Sequence, residues 1–223
     1  MPTFVLRLLL LGALLCTRVP AKNSLNAQTD VPFSYPEDYI SNFADVYVAD
    51  DGSGLLGGTC GVLRASTDGG LTWANVSSPT ANDIVSIACP PPGCATALLA
   101  TDAALYRLAN GSWNEVTPEG LRRGSQLDWL SQDLVVNGGT ANGLWRSTDA
   151  GLTWTFVHYG GNSDANLFFA DVNNGFVFIR NELFTTTDGG ATFFSTGYTH
   201  PGFIEYHTWL DANTGWLWDE DRK

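Results

Sequence analysis

From about Asn42 onward the chain alternates short apolar runs with polar, glycine-bearing breaks, and the runs fall into groups of four. The first group covers 45–50, 54–58, 61–66 and 72–76; the second, 83–88, 95–100, 104–108 and 112–116. A third follows at 126–130, 133–137, 143–147 and 153–158, and a fourth at 166–170, 175–179, 182–186 and 192–196. A fifth begins with 205–210 and 215–218. Runs this short, rich in β-branched and aromatic residues and bounded by Gly, Asn and Asp, predict strands joined by tight turns. No stretch after the N-terminus has the period of an amphipathic helix, so the expected class is all-β.

The breaks themselves repeat. Ser66-Thr67-Asp68-Gly69-Gly70-Leu71-Thr72-Trp73 recurs as Ser147-Thr148-Asp149-Ala150-Gly151-Leu152-Thr153-Trp154 and as Thr186-Thr187-Asp188-Gly189-Gly190-Ala191-Thr192-Phe193. A degenerate copy without the Asp runs through Leu108-Ala109-Asn110-Gly111-Ser112-Trp113. The leucines ahead of these turns, Leu63, Leu105, Leu144 and Leu183, are separated by 42, 39 and 39 residues. A period near 40 with four short strands per unit predicts a β-propeller of four-stranded blades. The blades are expected at 42–82, 83–124, 125–164 and 165–203, with a partial blade at 204–223. The match of 171–176 with 211–216 supports the fifth unit. About four and a half blades would leave an open sheet edge, which soluble proteins avoid, so either the sequence is an incomplete piece of a longer propeller, the favoured expectation, or another copy or segment closes it.

Within each octamer every position has a folding role. The Asp carboxylate can accept hydrogen bonds from N–H groups of its own turn. Glycine after the Asp takes positive φ without strain, the second Thr hydroxyl closes the far side, and the aromatic buries between strands. Chemistry is not needed to explain the motif.

Composition narrows the partners. Nine of the 11 basic residues are arginines; the lysines are Lys22 and Lys223. Arg7 followed by the apolar run 8–15 and by Val19-Pro20-Ala21 has the layout of a secretory signal peptide, expected to span 1–21 with a polar lead-in at 22–41. Removing 1–21 leaves nine basic residues against 23 acidic ones, a net charge of −14. Such a surface repels phosphate backbones and anionic lipid, which argues against nucleic-acid and peripheral-membrane roles. The expected location is secreted or periplasmic. Cys89-Pro90-Pro91-Pro92-Gly93-Cys94 is a short loop between apolar runs, and in an oxidising compartment a Cys89–Cys94 disulfide or two unlinked thiols both fit it. The spacing offers too few ligands for a metal site, and no cofactor motif occurs. Asn75 and Asn110 begin Asn-x-Ser sequences, which matter only in a eukaryotic secretory pathway.

The pattern around Asp68, Asp149 and Asp188 resembles the Asp-box, or bacterial neuraminidase repeat, of sialidases, sortilin-type receptors, xyloglucan-cleaving hydrolases and photosystem II assembly factors. Residues 144–154 and 211–216 look most like the photosystem II assembly factor group and its exported bacterial relatives. The resemblance covers roughly 42–218 and implies a propeller whose Asp-boxes are structural. It implies a non-enzymatic exported scaffold for a protein or carbohydrate partner, with a glycoside hydrolase (sialidase- or xyloglucanase-like) as the alternative.

The residues weigh against catalysis. The sialidase Phe/Tyr-Arg-Ile/Val-Pro motif is absent; Phe178-Ile179-Arg180-Asn181 lacks its order and its proline. Arg64, Arg107 and Arg146 recur at positions that the segment alignment treats as equivalent and therefore as parts of the repeat. A hydrolase needs two carboxylates facing each other across substrate, and Asp45, Asp83, Asp128 and Glu205 are the channel-side candidates. His158, His200 and His207 lie near acidic residues, but the sequence does not show them converging. Partner contacts are expected in the loops 77–82, 117–125, 159–165 and 197–204, with Arg122 and Arg123 as an anchor for an acidic group and Trp129, Tyr206 and Trp209 as aromatic contacts.

Overall fold

The computed structural model describes residues 43–121, 126–133, 135–139, 143–158, 165–179, 181–201, 204–211 and 214–219. They form consecutive antiparallel meanders. The first sheet is β1 (Phe43–Val48), β2 (Gly54–Gly58), β3 (Leu63–Ser66) and β4 (Ala74–Asn75), in that order. The second is β5 (Ile84–Ala88), β6 (Ala97–Thr101), β7 (Leu105–Ala109) and β8 (Ser112–Glu115). The third is β9 (Gln126–Trp129), β10 (Val135–Gly139), β11 (Gly143–Ser147) and β12 (Thr155–His158). The fourth is β13 (Ala165–Phe169), β14 (Gly175–Ile179), β15 (Glu182–Thr186) and β16 (Phe194–Thr199). β17 (Ile204–Asp211) and β18 (Thr214–Asp219) pair as a two-stranded sheet.

The strands differ from the sequence expectation mainly where the octamers end. Fourth strands begin at Ala74, Thr155 and Phe194 rather than two residues earlier. Thr72, Thr153 and Thr192 spend their backbone N–H groups on the Asp carboxylate of the turn, so the sheet ladder starts after them.

First strands lie side by side: β1 against β5, β5 against β9, β9 against β13 and β13 against β17. The hydrophobic core is therefore divided among the seams between sheets. Leu55 and Leu63 meet Ile84, Ile87, Ala97 and Leu99 in the first seam. Leu98 and Leu105 meet Leu127, Trp129 and Val135 in the second, and Leu144 meets Leu167, Val177 and Ile179 in the third. Gly57 shows how close the approach is: a Cβ there would lie 2.5 Å from Ile84.

Along each third strand the faces alternate, as a period of two requires. Leu63, Leu105 and Leu144 pack toward the following sheet, while Tyr106, Trp145 and Phe184 pack back toward the preceding one. Arg107 and Arg146 lie two residues after their leucines and so face forward. The Nε–H of each donates to a main-chain carbonyl in the next octamer, Arg107 to Ala150 at 2.7 Å and Arg146 to Gly189 at 2.9 Å. Arg64 corrects the sequence alignment: it lies one residue after Leu63, in the register of Tyr106, Trp145 and Phe184, on the opposite face. Its guanidinium sits 5.3 Å from the centre of the Phe43 ring, and its buried Nε has no hydrogen-bond partner among the described residues. The forward-facing position of the first sheet holds Ala65. The sheet it faces has no full octamer, only the two-residue turn Asn110–Gly111, both residues at positive φ.

Polar side chains tie the first strands together as well. Asp45 Oδ2 accepts Ile87 N–H at 2.7 Å and the Ser86 hydroxyl at 3.0 Å, while Ser86 Oγ accepts Leu127 N–H at 3.2 Å. Gln126 completes the series with two bonds to the Leu167 backbone, Nε2 to O at 2.8 Å and N to Oε1 at 3.0 Å.

Candidate functional site

The octamers build one arrangement three times. In the first, the Ser66 hydroxyl donates to Asp68 Oδ1 at 2.8 Å and accepts Gly70 N–H at 2.9 Å. Thr72 donates twice to the same carboxylate, from its N–H at 2.9 Å and its hydroxyl at 2.6 Å. Ser147, Asp149, Gly151 and Thr153 repeat these bonds at 2.5–2.8 Å, and Thr186, Asp188, Gly190 and Thr192 at 2.5–3.0 Å. The carboxylates stay ionised. Thr72, through its hydroxyl and then its N–H, together with Ser66, holds the Asp68 carboxyl at about 2. Burial pushes Asp188 and Asp149 up, but hydrogen bonds from Thr192 and Thr186, and from Thr153 and Ser147, outweigh it; Asp188 is held at about 2 and Asp149 below its ordinary range.

The aromatic positions vary. Trp73 Nε1 donates to Gly70 O at 3.0 Å, Trp154 Nε1 is buried without a partner among the described residues, and Phe193 packs into the third seam. The residue after each Asp is a junction. Gly69, Ala150 and Gly189 each donate N–H to the first turn of their own sheet, at Gly52, Asp133 and Asn173. Ala150 and Gly189 also receive the arginine of the preceding sheet on their carbonyls. Ala150 accordingly holds φ of 59° despite its Cβ.

At the same end of the strands, the first turns of three sheets enclose a cleft of about 360 Å³ lined by Asp51, the 90–93 loop, Arg107, Trp129 and Asp133. Cys89 and Cys94 are disulfide-bonded across that loop, and Cys60 is free and exposed. The loop is tied to both neighbours: Asp51 N–H donates to Pro92 O at 3.1 Å, Cys94 N–H to Ser53 Oγ at 2.8 Å, and Gln132 Nε2 to Pro91 O at 3.4 Å.

The remaining sequence candidates scatter. Arg122 and Arg123 lie outside the described residues. Trp129 is buried in the second seam, its Nε1 directed at Gln132 O 3.4 Å away, with one edge on the cleft. Tyr206 and Trp209 fall on β17, paired with Trp218 and Gly215; their side chains lie outside the described part. Asp45 is bound into the first seam, and Asp83 accepts Cys60 N–H at 2.8 Å. Asp128 pairs with Val136 on β10, and Glu205 lies on β17. His158 stacks obliquely on Phe184 and His200 donates its backbone N–H to Asn181 O. Among the described residues no three His, Cys, Asp or Glu side chains group as metal ligands, and no helix is long and apolar enough to cross a membrane.

No protein-family model matches the chain, and no curated protein sequence matches it. Solved structures do. YCF48 from Cyanidioschyzon merolae superposes with a TM-score of 0.55 at 15% identity, over 74% of this chain and 60% of its own. The WD40 β-propeller domain of Doa1 gives 0.58 at 13%, over 83% and 64%. The GH74 xyloglucanase from Xanthomonas campestris gives 0.55 at 20%, over 76% and 34%.

The fold is a β-propeller. Each four-stranded sheet is a blade, and the chain spans 60% of the length of YCF48 and about a third of the xyloglucanase. At these identities the likeness speaks for fold alone. In propeller terms, the octamers and the three-turn cleft share one end, and the sequence-predicted loop 77–82 and the 117–121 part of the next lie at the other; 122–125, 159–164 and 202–203 of the predicted loops lie outside the described residues. The cleft was missed because its walls come from three blades and no single motif carries it. The one available signal was the proline run between Cys89 and Cys94.

Proposed function

We propose that the protein is an exported, non-enzymatic β-propeller scaffold that binds a protein or carbohydrate partner. The observation that carries this reading is the engagement of the channel-side carboxylates Asp45 and Asp83 and of the three octamer carboxylates. Asp45 is committed to Ser86 and Ile87, Asp83 to Cys60, and Asp68, Asp149 and Asp188 to their own turns. A glycoside hydrolase needs one carboxyl free to donate a proton and a second to act as base or nucleophile. The resemblance of the octamers to the Asp-box supports a structural role for them. The leader-like 1–21 segment supports export.

The test is to incubate the mature chain with soluble xyloglucan, other polysaccharides and aryl sialosides, following product release and affinity retardation together. The scaffold reading expects no release from any substrate, with retardation allowed on one. Release that disappears in Asp128→Asn would overturn it in favour of the glycoside hydrolase alternative.

A further inference from the structure

We infer that the cleft at the octamer end is a preformed binding site for a small zwitterion of amino-acid or dipeptide size, its carboxylate taken by Arg107 and its ammonium by Asp133. The site stands independently of the partner reading above. Its walls are fixed before any ligand arrives: the disulfide closes the proline loop, and three further hydrogen bonds tie that loop to the first turns on either side. A cleft already in shape loses little ordering entropy on binding. Its volume, about 360 Å³, is at the small end of ligand sites and suits a dipeptide.

The chemistry comes from what the fold leaves unused. The Arg107 Nε–H is taken by Ala150 O, which fixes the plane of the guanidinium. Its terminal nitrogens have no partner among the described residues and form a two-pronged donor suited to a carboxylate. Asp133 uses its main-chain carbonyl to accept Ala150 N–H, while its exposed carboxylate is unpaired among the described residues. Asp51 adds a second negative charge to the lining, beside Gly93. Pro91 and the edge of Trp129 give the apolar surface on which a ligand side chain rests. One cation and two carboxylates in a lining that also holds prolines and Trp129 match a ligand carrying both signs better than one carrying either alone.

The experiment titrates the mature, disulfide-bonded chain with free dipeptides, Gly-Leu and Ala-Phe, by calorimetry and by amide NMR. The same dipeptides are then used N-acetylated, C-amidated, and blocked at both ends. The free forms are expected to bind and to shift the amides of 90–96 and of Ala150, with each single block weakening binding by about tenfold or more. Asp133→Asn keeps the backbone bond to Ala150 and the fold; it should abolish the penalty for N-acetylation while keeping that for C-amidation. Equal binding of free and doubly blocked forms, or no binding of the free forms at millimolar concentration, would overturn the assignment.

Discussion

Replacing Arg146 with Met tests whether the seams are held by the arginine bonds. Methionine keeps most of the apolar stem and removes the cationic donor. The Gly189 carbonyl that accepts it lies on a buried residue, and the bond is 2.9 Å long. Losing a hydrogen bond from a charged donor, and leaving a buried carbonyl without it, costs about 1.5–3 kcal/mol. In a chain of this size, at about 2–4 °C per kcal/mol, that lowers the melting temperature by roughly 3–12 °C. Urea unfolding of Arg146→Met beside the parent measures it directly, with an unchanged m-value as the sign that only stability moved. A second arm pairs Arg146→Met with Asp188→Ala. Because the Asp188 turn positions the Gly189 carbonyl, the two losses should couple by at least about 0.5 kcal/mol, whereas Arg146→Met and Arg107→Met sit in different seams and should add. A cost below about 0.5 kcal/mol for Arg146→Met would refute the reasoning, because water would then be replacing the arginine without loss.

Other outcomes follow from the same geometry. Gly151 holds φ of 80° and a Cβ there would come 2.7 Å from Leu98 of the preceding blade, so Gly151→Ala should cost about 2–4 kcal/mol in urea unfolding, combining left-handed strain with overpacking. Asp68 and Asp188 titrate at about 2 in the fold against an ordinary 3.8; their contribution is complete above about pH 4 and is lost as pH falls toward 2. Thr72→Val and Thr192→Val should raise these carboxyls toward 3.8, read by carboxyl-carbon NMR titration, and a value staying near 2 would contradict the assigned cause. Removing the disulfide as Cys89→Ala/Cys94→Ala should cost about 2 kcal/mol, the chain-entropy value for so short a loop, measured by thermal unfolding of both forms.

Much of the blade architecture was legible in the sequence because its determinants are local. An octamer satisfies its own Asp within five residues, so reading one copy explains all three, and the spacing of the leucines fixes the repeat. The face of a third-strand residue was less legible. Arg64 looks like Arg107 and Arg146, yet one residue of offset turns it to the opposite side of its sheet, because strand side chains alternate. The seam bonds were invisible for another reason: Asp45, Ser86 and Gln126 have different side chains doing related work, each bond reaching some 41–42 residues along the chain. Asp45 therefore read as a channel carboxylate when it is a tie between first strands. The candidate cleft needs the first turns of three blades together, which no linear pattern displays.

The arginine bonds bear on how such a chain can be rearranged. Arg107 faces a full octamer and so does Arg146, whereas Ala65 faces the bare Asn110–Gly111 turn. The forward-facing side chain of one blade is thus matched to the turn of the next. A blade moved or duplicated by itself would bring an arginine to a turn that has no carbonyl for it, or a carbonyl to an alanine. The portable module of this repeat runs from the third strand of one blade to the octamer of the following one, and recombination that respects the strand groups of the sequence would cut through the middle of it.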